Sequence, residues 1–376
     1  VRRSATRHRT SERSSSEGSE GSEGSEGSEG SEGSEGSEGS EGKEGVAIVK
    51  TIGLEEHFVT SDVLHAWRGL EAHWQNPAGL SAGDDIVHRL AELDEERLAA
   101  MEDTGLDVQV LSLTSPGVQN LTPNDAVTLQ TTCNDLVADA VRAHPDHLQG
   151  FATLATSDPI KAASELERAV TTLGLNGAMI FPRGRGRSLE HRDFWPIFEA
   201  AAALNAPLYL HPQVPPPPVQ AAYYGGFDDT VNAGLATYGI GWHYDVGVAL
   251  LRLILAGVFD HFPNLEVIVG HWGEMVLFYL DRVDDLRTAA ERARPISDYF
   301  RTNVLVTPSG IFSQRYLRWA LEVIGVDRIL FSTDYPYRCA PHNGARRFLE
   351  EADLSDVERE KIASGNWNRI CAGIRR

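Results

Sequence analysis

From Lys50 onward the chain alternates between short aliphatic runs and longer stretches in which apolar residues recur every three or four positions. The short runs predict eight strands: Lys50–His57, Val108–Thr114, Leu148–Leu154, Gly177–Phe181, Ala206–His211, Leu265–His271, Asn303–Thr307 and Arg328–Asp334. Runs such as Leu265-Glu266-Val267-Ile268-Val269-Gly270 are nearly continuously apolar, as parallel strands covered by helices must be. The longer stretches predict helices. Ser157-Asp158-Pro159 supplies a cap and a first-turn proline, Ile160, Ala163, Leu166, Val170 and Leu173 form a stripe, and Gly174 stops it. Asn124–Ala143, Phe194–Leu204, Val246–Phe262, Glu274–Arg292, Ser313–Ile324 and Gly344–Glu351 fill the other gaps, and Ser355–Ser364 closes the series.

Eight such units over residues 46–376 predict an α/β chain folded as a (β/α)8 TIM barrel, with a doubly wound open sheet as the alternative. Two inserts interrupt the alternation, Thr60–Asp85 after strand one and Gln213–His243 after strand five. The second is rich in proline and aromatic residues; long loops on a barrel's catalytic face commonly act as lids or oligomer contacts.

The start of the chain changes the picture. Ser16 to Gly42 is an unbroken Ser-Glu-Gly repeat, too poor in apolar surface to offset its chain entropy, so residues 1–45 are expected to be disordered. The formal charge of -20, from 34 basic and 54 acidic residues, argues against a nucleic-acid or anionic-membrane partner. No apolar run reaches the ~18 residues of a membrane span, and the polar leader lacks a secretory signal's apolar region, so a cytoplasmic location is expected. Cys133, Cys339 and Cys371 are scattered, with no CxxC, and indicate neither a disulfide framework nor a thiolate zinc site.

The chemistry lies at the carboxyl ends of the strands: Glu55 and His57 on the first, His211 on the fifth, His271 on the sixth, Asp334 on the eighth. In a barrel these ends converge on one mouth. In an extended strand, Glu55 and His57 point to one face and Glu56 to the other. Two carboxylates in one mouth need a cation, and two carboxylates with two imidazoles suit a borderline divalent ion such as Zn2+ or Mn2+. The expected ligands are Glu55, His57, His211 and Asp334. Strand four ends Met179-Ile180-Phe181-Pro182-Arg183 without a lysine to bridge a second ion, so one metal is expected. His271 precedes Glu274 by three residues, a spacing that suits proton handling better than ligation. Arg183, Arg185 and Arg187 form a basic loop that is either solvated or a carboxylate clamp. His65, His73, His88, His144, His147, His261 and His342 read as solvated surface.

Four segments carry a resemblance: Leu54-Glu55-Glu56-His57-Phe58, Tyr209-Leu210-His211-Pro212, Gly270-His271-Trp272-Gly273-Glu274 and Leu330-Phe331-Ser332-Thr333-Asp334-Tyr335-Pro336. Together the chain from about Lys50 to Arg369 resembles the amidohydrolase-superfamily decarboxylases, in particular the non-oxidative γ-resorcylate, 2,3-dihydroxybenzoate and salicylate group. The resemblance implies a homotetrameric or homodimeric barrel with one divalent metal, which removes CO2 reversibly from small ortho-hydroxylated aromatic acids. It further implies Glu55, His57, His211 and Asp334 at the metal, His271 and Glu274 in proton handling, and Asp334 as proton donor. Some relatives carry alanine in place of His57, so its presence favours zinc or manganese over magnesium. The chain departs from the family in its arginine-rich loop Pro182–Ser188 and at Ala249, where many relatives carry histidine. A mononuclear hydrolase or hydratase of a lactone or amide would use the same residues, with Asp334 as base.

Overall fold

A computed structural model describes residues 49–71, 83–338 and 340–376. The expected disordered tail, residues 1–45, lies outside these, as do His73, Cys339 and residues 72–82 of the first insert. Seven strands form the wall: β1 Ile52–Phe58, β2 Val108–Leu113, β3 Leu148–Gly150 continued by Ala152–Thr153, β4 Ala178–Ile180, β5 Leu208–Leu210, β6 Val267–Val269 and β7 Val304–Val306. They pair in parallel in chain order. The eighth segment, residues 329–335, closes the ring through isolated parallel bridges, Val306 to Ile329 and Glu56 to Tyr335. Leu330 N donates to Val306 O at 2.8 Å on one side, and Leu54 N and His57 N donate to Phe331 O and Tyr335 O at 3.0 and 2.8 Å on the other. This is the expected TIM barrel, not an open sheet. The last segment falls short of a regular strand because Asp334 takes a left-handed conformation, φ 62°, which breaks the extended run.

Strand alternation produces two buried layers. Ile52, Leu54, Val108, Val110, Phe151, Met179, Tyr209, Ile268, Leu305 and Leu330 fill the barrel interior, while their neighbours, among them Leu111, Ile180, Leu208, Val269, Val306 and Phe331, face the helices.

Most helices lie where the periodicity puts them, with three corrections. Pro159–Thr171 starts at the expected Asp158 cap, but Ile160 is 63% exposed and Ala162 and Ala169 are buried instead. Ile160 lies in the first turn of that helix, where it is left uncovered. The expected helix Val246–Phe262 starts earlier, at Gly241, and is split at Gly257, φ 79°, into Gly241–Leu255 and Val258–His261. The expected helix Glu274–Arg292 is broken into short turns, Val276–Tyr279, Leu280–Val283 and Leu286–Ala289, because its first residues are left-handed. The second insert is coiled into short helical pieces, including Asp229–Gly234 and Leu235–Gly239. Among the described residues, no helix is long and apolar enough to cross a membrane.

Candidate metal centre and proton-handling pair

β1 delivers its two groups as the alternation requires, although its pairing with β2 slips by one residue between Gly53 and Glu56. Glu55, His57 and His211 each direct one ligand-capable atom into a common space, with all of these atoms within 4.8 Å of one another. Glu55 Oε1 lies 3.2 Å from His211 Nε2, and the His57 and His211 rings meet edge to face, 4.8 Å between centroids. Asp334 stands at the edge of this group, its Oδ1 3.5 Å from His57 Nε2.

The outer atoms of these side chains are already committed. Glu55 Oε2 accepts from Tyr209 Oη at 2.7 Å and from Ser309 Oγ. His211 Nδ1 donates to the Pro212 carbonyl at 2.9 Å, and His57 Nδ1 meets Ser112 Oγ at 3.2 Å. The inner atoms remain: Glu55 Oε1 and His57 Nε2 are buried without a hydrogen-bond partner. Burial, with His211 beside it, holds His57 down at about 3, so the ring is neutral. Burial alone would raise Glu55, but His271, His211 and His57 together hold it well below the usual carboxylate range. A carboxylate oxygen facing two imidazoles, with that oxygen and one ring nitrogen buried and unpartnered, is the donor set of a divalent cation, and these residues fit one.

Glu56 points away, as expected. Its Oε1 accepts from Thr333 N at 2.8 Å and its Oε2 from Thr333 Oγ1 at 2.6 Å, which pins the residue before Asp334. Burial and then the charge of Glu55 push the Asp334 carboxyl well above its usual range, against the pull of His271.

The second group forms beside the first. His271 Nδ1 lies 2.8 Å from Glu274 Oε1. Burial would lower His271, but Glu274, with Glu55 and Asp334 behind it, overrides this and raises it to about 10. The i,i+3 contact comes from a left-handed turn, not from the helix start that the sequence suggests. His271, Trp272, Gly273, Glu274 and Met275 have φ of 48°, 59°, 84°, 52° and 67°. Backbone strain of this kind persists only where surrounding bonds hold it. Here Trp272 N donates to Thr307 O at 2.9 Å and the indole to Ile311 O at 2.8 Å.

The structure thus brings Glu55, His57 and His211 together with Asp334 at their edge, and sets His271 against Glu274 as a separate pair. Of the arginines, Arg183 is neither clamp nor solvated: it is buried, with Nη1 2.7 and 2.8 Å from the Asp245 carboxylate and Nη2 2.7 Å from Val214 O, so it ties the insert down. Arg187 pairs with Asp193 at the surface. His261 is exposed, as expected, with its ring against Trp195, centroids 4.9 Å apart.

Sequence reasoning missed several supporting groups. Tyr209 was legible, since it sits two residues before His211 and so shares its face. Arg97, fully buried, donates to His57 O at 2.7 Å from a distant helix, and His243 reaches Glu274 from the insert; neither has a local sequence signal.

The barrel, with a cluster that could hold a metal ion beside a buried imidazole-carboxylate pair, has the frame of a metal-binding enzyme. The chain belongs to the amidohydrolase family, described as Amidohydrolase, which it matches over residues 64–369. Within that superfamily it is a carboxy-lyase. It is 34% identical over 336 residues to a gamma-resorcylate decarboxylase of Polaromonas sp., covering 85% of this chain and 97% of that one. The structure of 5-carboxyvanillate decarboxylase from Sphingomonas paucimobilis superposes with TM-score 0.79 at 32% identity, covering 86% of this chain and 99% of that one. A dihydroxybenzoic acid decarboxylase from Polaromonas sp., solved with bound manganese and the inhibitor 2-nitroresorcinol, gives TM-score 0.75 at 32% identity, covering 86% and 97%.

Proposed function

We propose that this protein removes CO2, reversibly and without oxidation, from ortho-hydroxylated aromatic carboxylic acids, using one divalent cation held by Glu55, His57, His211 and Asp334. The observation that carries the reading is the convergence of Glu55, His57 and His211 on one buried space, with Glu55 Oε1 and His57 Nε2 unpartnered, beside a separate His271-Glu274 pair. Zn2+ is the ion of this reading, with Mn2+ and Mg2+ as alternatives; manganese in a decarboxylase of similar fold supports a divalent cation. When bound, the cation supplies Lewis-acid charge that draws a carboxylate and an adjacent phenolic oxygen to one place.

Direct cleavage of an aryl carbon to carboxylate bond would leave an unstabilised ring carbanion, so protonation comes first. Asp334 takes the phenolic proton of the substrate and delivers it to the carboxyl-bearing ring carbon. A C–H bond forms there, the C–C bond breaks, its electron pair returns to the ring, and CO2 leaves. His271, held by Glu274, returns a proton to the phenolate oxygen, and one proton is taken from solvent per turnover.

The exposed aromatic residues of the insert, Tyr223, Phe227 and Tyr238 at 77, 63 and 64% exposure, support a homodimer or homotetramer that covers them. We place the enzyme in the cytoplasm. The test is metal analysis of the purified protein with a CO2-release screen over 2,6-dihydroxybenzoate, 2,3-dihydroxybenzoate, salicylate and 5-carboxyvanillate. CO2 release with one bound divalent ion is expected. Cleavage of lactones or amides with no CO2 from any acid would replace this reading with the hydrolase one.

A further inference from the structure

Glu274 holds two imidazoles. Its Oε1 meets His271 Nδ1 at 2.8 Å, and its Oε2 meets His243 Nδ1 at 2.8 Å. The two rings lie 4.5 Å apart between centroids. The mechanism above uses only the first of these contacts.

His243 occupies the first turn of the helix Gly241–Leu255, where the aromatic insert rejoins the barrel. Its side chain is 15% exposed, and its Nε2 lies 3.3 Å from the carbonyl of Tyr238 within the insert. Glu274 itself is 0% exposed. A carboxylate at that depth needs a donor on each oxygen, and the two Nδ1–H groups provide them. The turn that presents Glu274 also needs an anchor, since L-residues disfavour the left-handed conformation it takes. Its leading end is fastened by His271 N to Ser309 Oγ at 3.0 Å and Trp272 N to Thr307 O at 2.9 Å. The contact with His243 fastens its trailing end. The helix carrying His243 presses directly on that end: a Cβ on Gly247 would lie 2.6 Å from the Glu274 carbonyl oxygen.

We infer that His243 is a positioning residue for the decarboxylation. By holding the outer oxygen of Glu274, it keeps the inner oxygen on His271 Nδ1, which engages that N–H and leaves Nε2 as the nitrogen that exchanges protons. It also links the placement of the insert to that pair. His243 itself transfers no proton to substrate. The inference rests on the decarboxylase reading for its kinetic consequence, whereas the effect on the His271 Nδ1–H bond is independent of any substrate. The competing reading is a second cation on His243, His271 and Glu274, whose ligand-capable atoms lie within 4.8 Å of one another. Both nitrogen-to-oxygen distances are those of ordinary hydrogen bonds, which favours the first reading.

The experiment compares the full-length metal-loaded wild type with His243→Leu and His243→Asn, whose Nδ2 can donate as Nδ1 does. Leucine is expected to lower kcat by about 10- to 100-fold, the usual cost of losing an orienting partner, with KM and metal content near wild type. Asparagine should restore most of the lost kcat. In parallel, 15N-histidine NMR at neutral pH, with His271→Ala to assign the signal, should show the His271 Nδ1–H shifted downfield and slow to exchange in wild type and His243→Asn, and fast-exchanging in His243→Leu. Wild-type kcat and an unchanged Nδ1–H signal in His243→Leu would overturn the inference, as would asparagine failing to rescue, or loss of a second bound metal equivalent. If no aromatic acid is decarboxylated by wild type, the proposed function fails, and the NMR comparison still decides the role of His243.

Discussion

Tyr209 Oη donates to Glu55 Oε2 at 2.7 Å, and the same hydroxyl lies 2.8 Å from Thr307 Oγ1, so one phenol couples β5 and β7 to the carboxylate of β1. Burial first, and then the Glu55 charge, keep that phenol protonated, with its pKa raised well above the ordinary value. Tyr209→Phe leaves a buried carboxylate one donor short. The expected result is a loss of about 10- to 100-fold in metal affinity, read by competition with a chelator. Stability should fall by about 1–3 kcal/mol, read by denaturant unfolding.

Asp334→Asn retains a side chain of the same shape and removes the acid. Turnover should fall by about 10²–10⁴-fold, the range of general acid catalysis, while Glu55, His57 and His211 still retain metal. Metal analysis and CO2 release on the same sample check this, and near-normal activity would exclude Asp334 as the donor.

His271→Ala should keep its metal and lose turnover; parallel loss of the ion would make His271 a ligand. The pH profile carries a sign. With its pKa raised to about 10, chiefly by Glu274 against burial, His271 is protonated through neutrality, and that form is lost as pH rises through about 10. Glu274→Gln removes the largest raising charge, so the alkaline limb of kcat should move to lower pH. A limb that stays in place would assign it to another group.

Much of this was legible in the chain because strand alternation and barrel convergence act together. Glu55 and His57 share a face by period two, and His211, His271 and Asp334 end strands whose order the barrel dictates. What was not legible depends on distant elements. Arg97 and His243 reach the site from a helix and an insert whose docking is set by tertiary packing. The left-handed turn at His271–Met275 also defeats local reading, because Trp272, Glu274 and Met275 are residues that ordinarily avoid positive φ. Ile160 misleads for the opposite reason: an apolar residue in register with a stripe need not be covered at a helix end.

One stability prediction follows from β4. Gly177 precedes it with φ 124°, and a Cβ there would lie 2.2 Å from the Pro207 carbonyl oxygen, a backbone atom that cannot move aside. Gly177→Ala combines a forbidden conformation with overpacking. The expected loss is at least about 1–3 kcal/mol, measured as a lowered midpoint of unfolding.

The closing segment, residues 329–335, bears on how the molecule ages as well as on what it catalyses. Isolated bridges join it to its neighbours, yet across that seam His57 Nε2 on one side and Asp334 Oδ1 on the other lie 3.5 Å apart. A cation gripped by both would act as a rivet across the weakest joint of the wall. Stripped by a chelator, the protein should admit deuterium first along this joint, while β4 to β6 stay protected, so that loss of the ion and unzipping of the cylinder become one event.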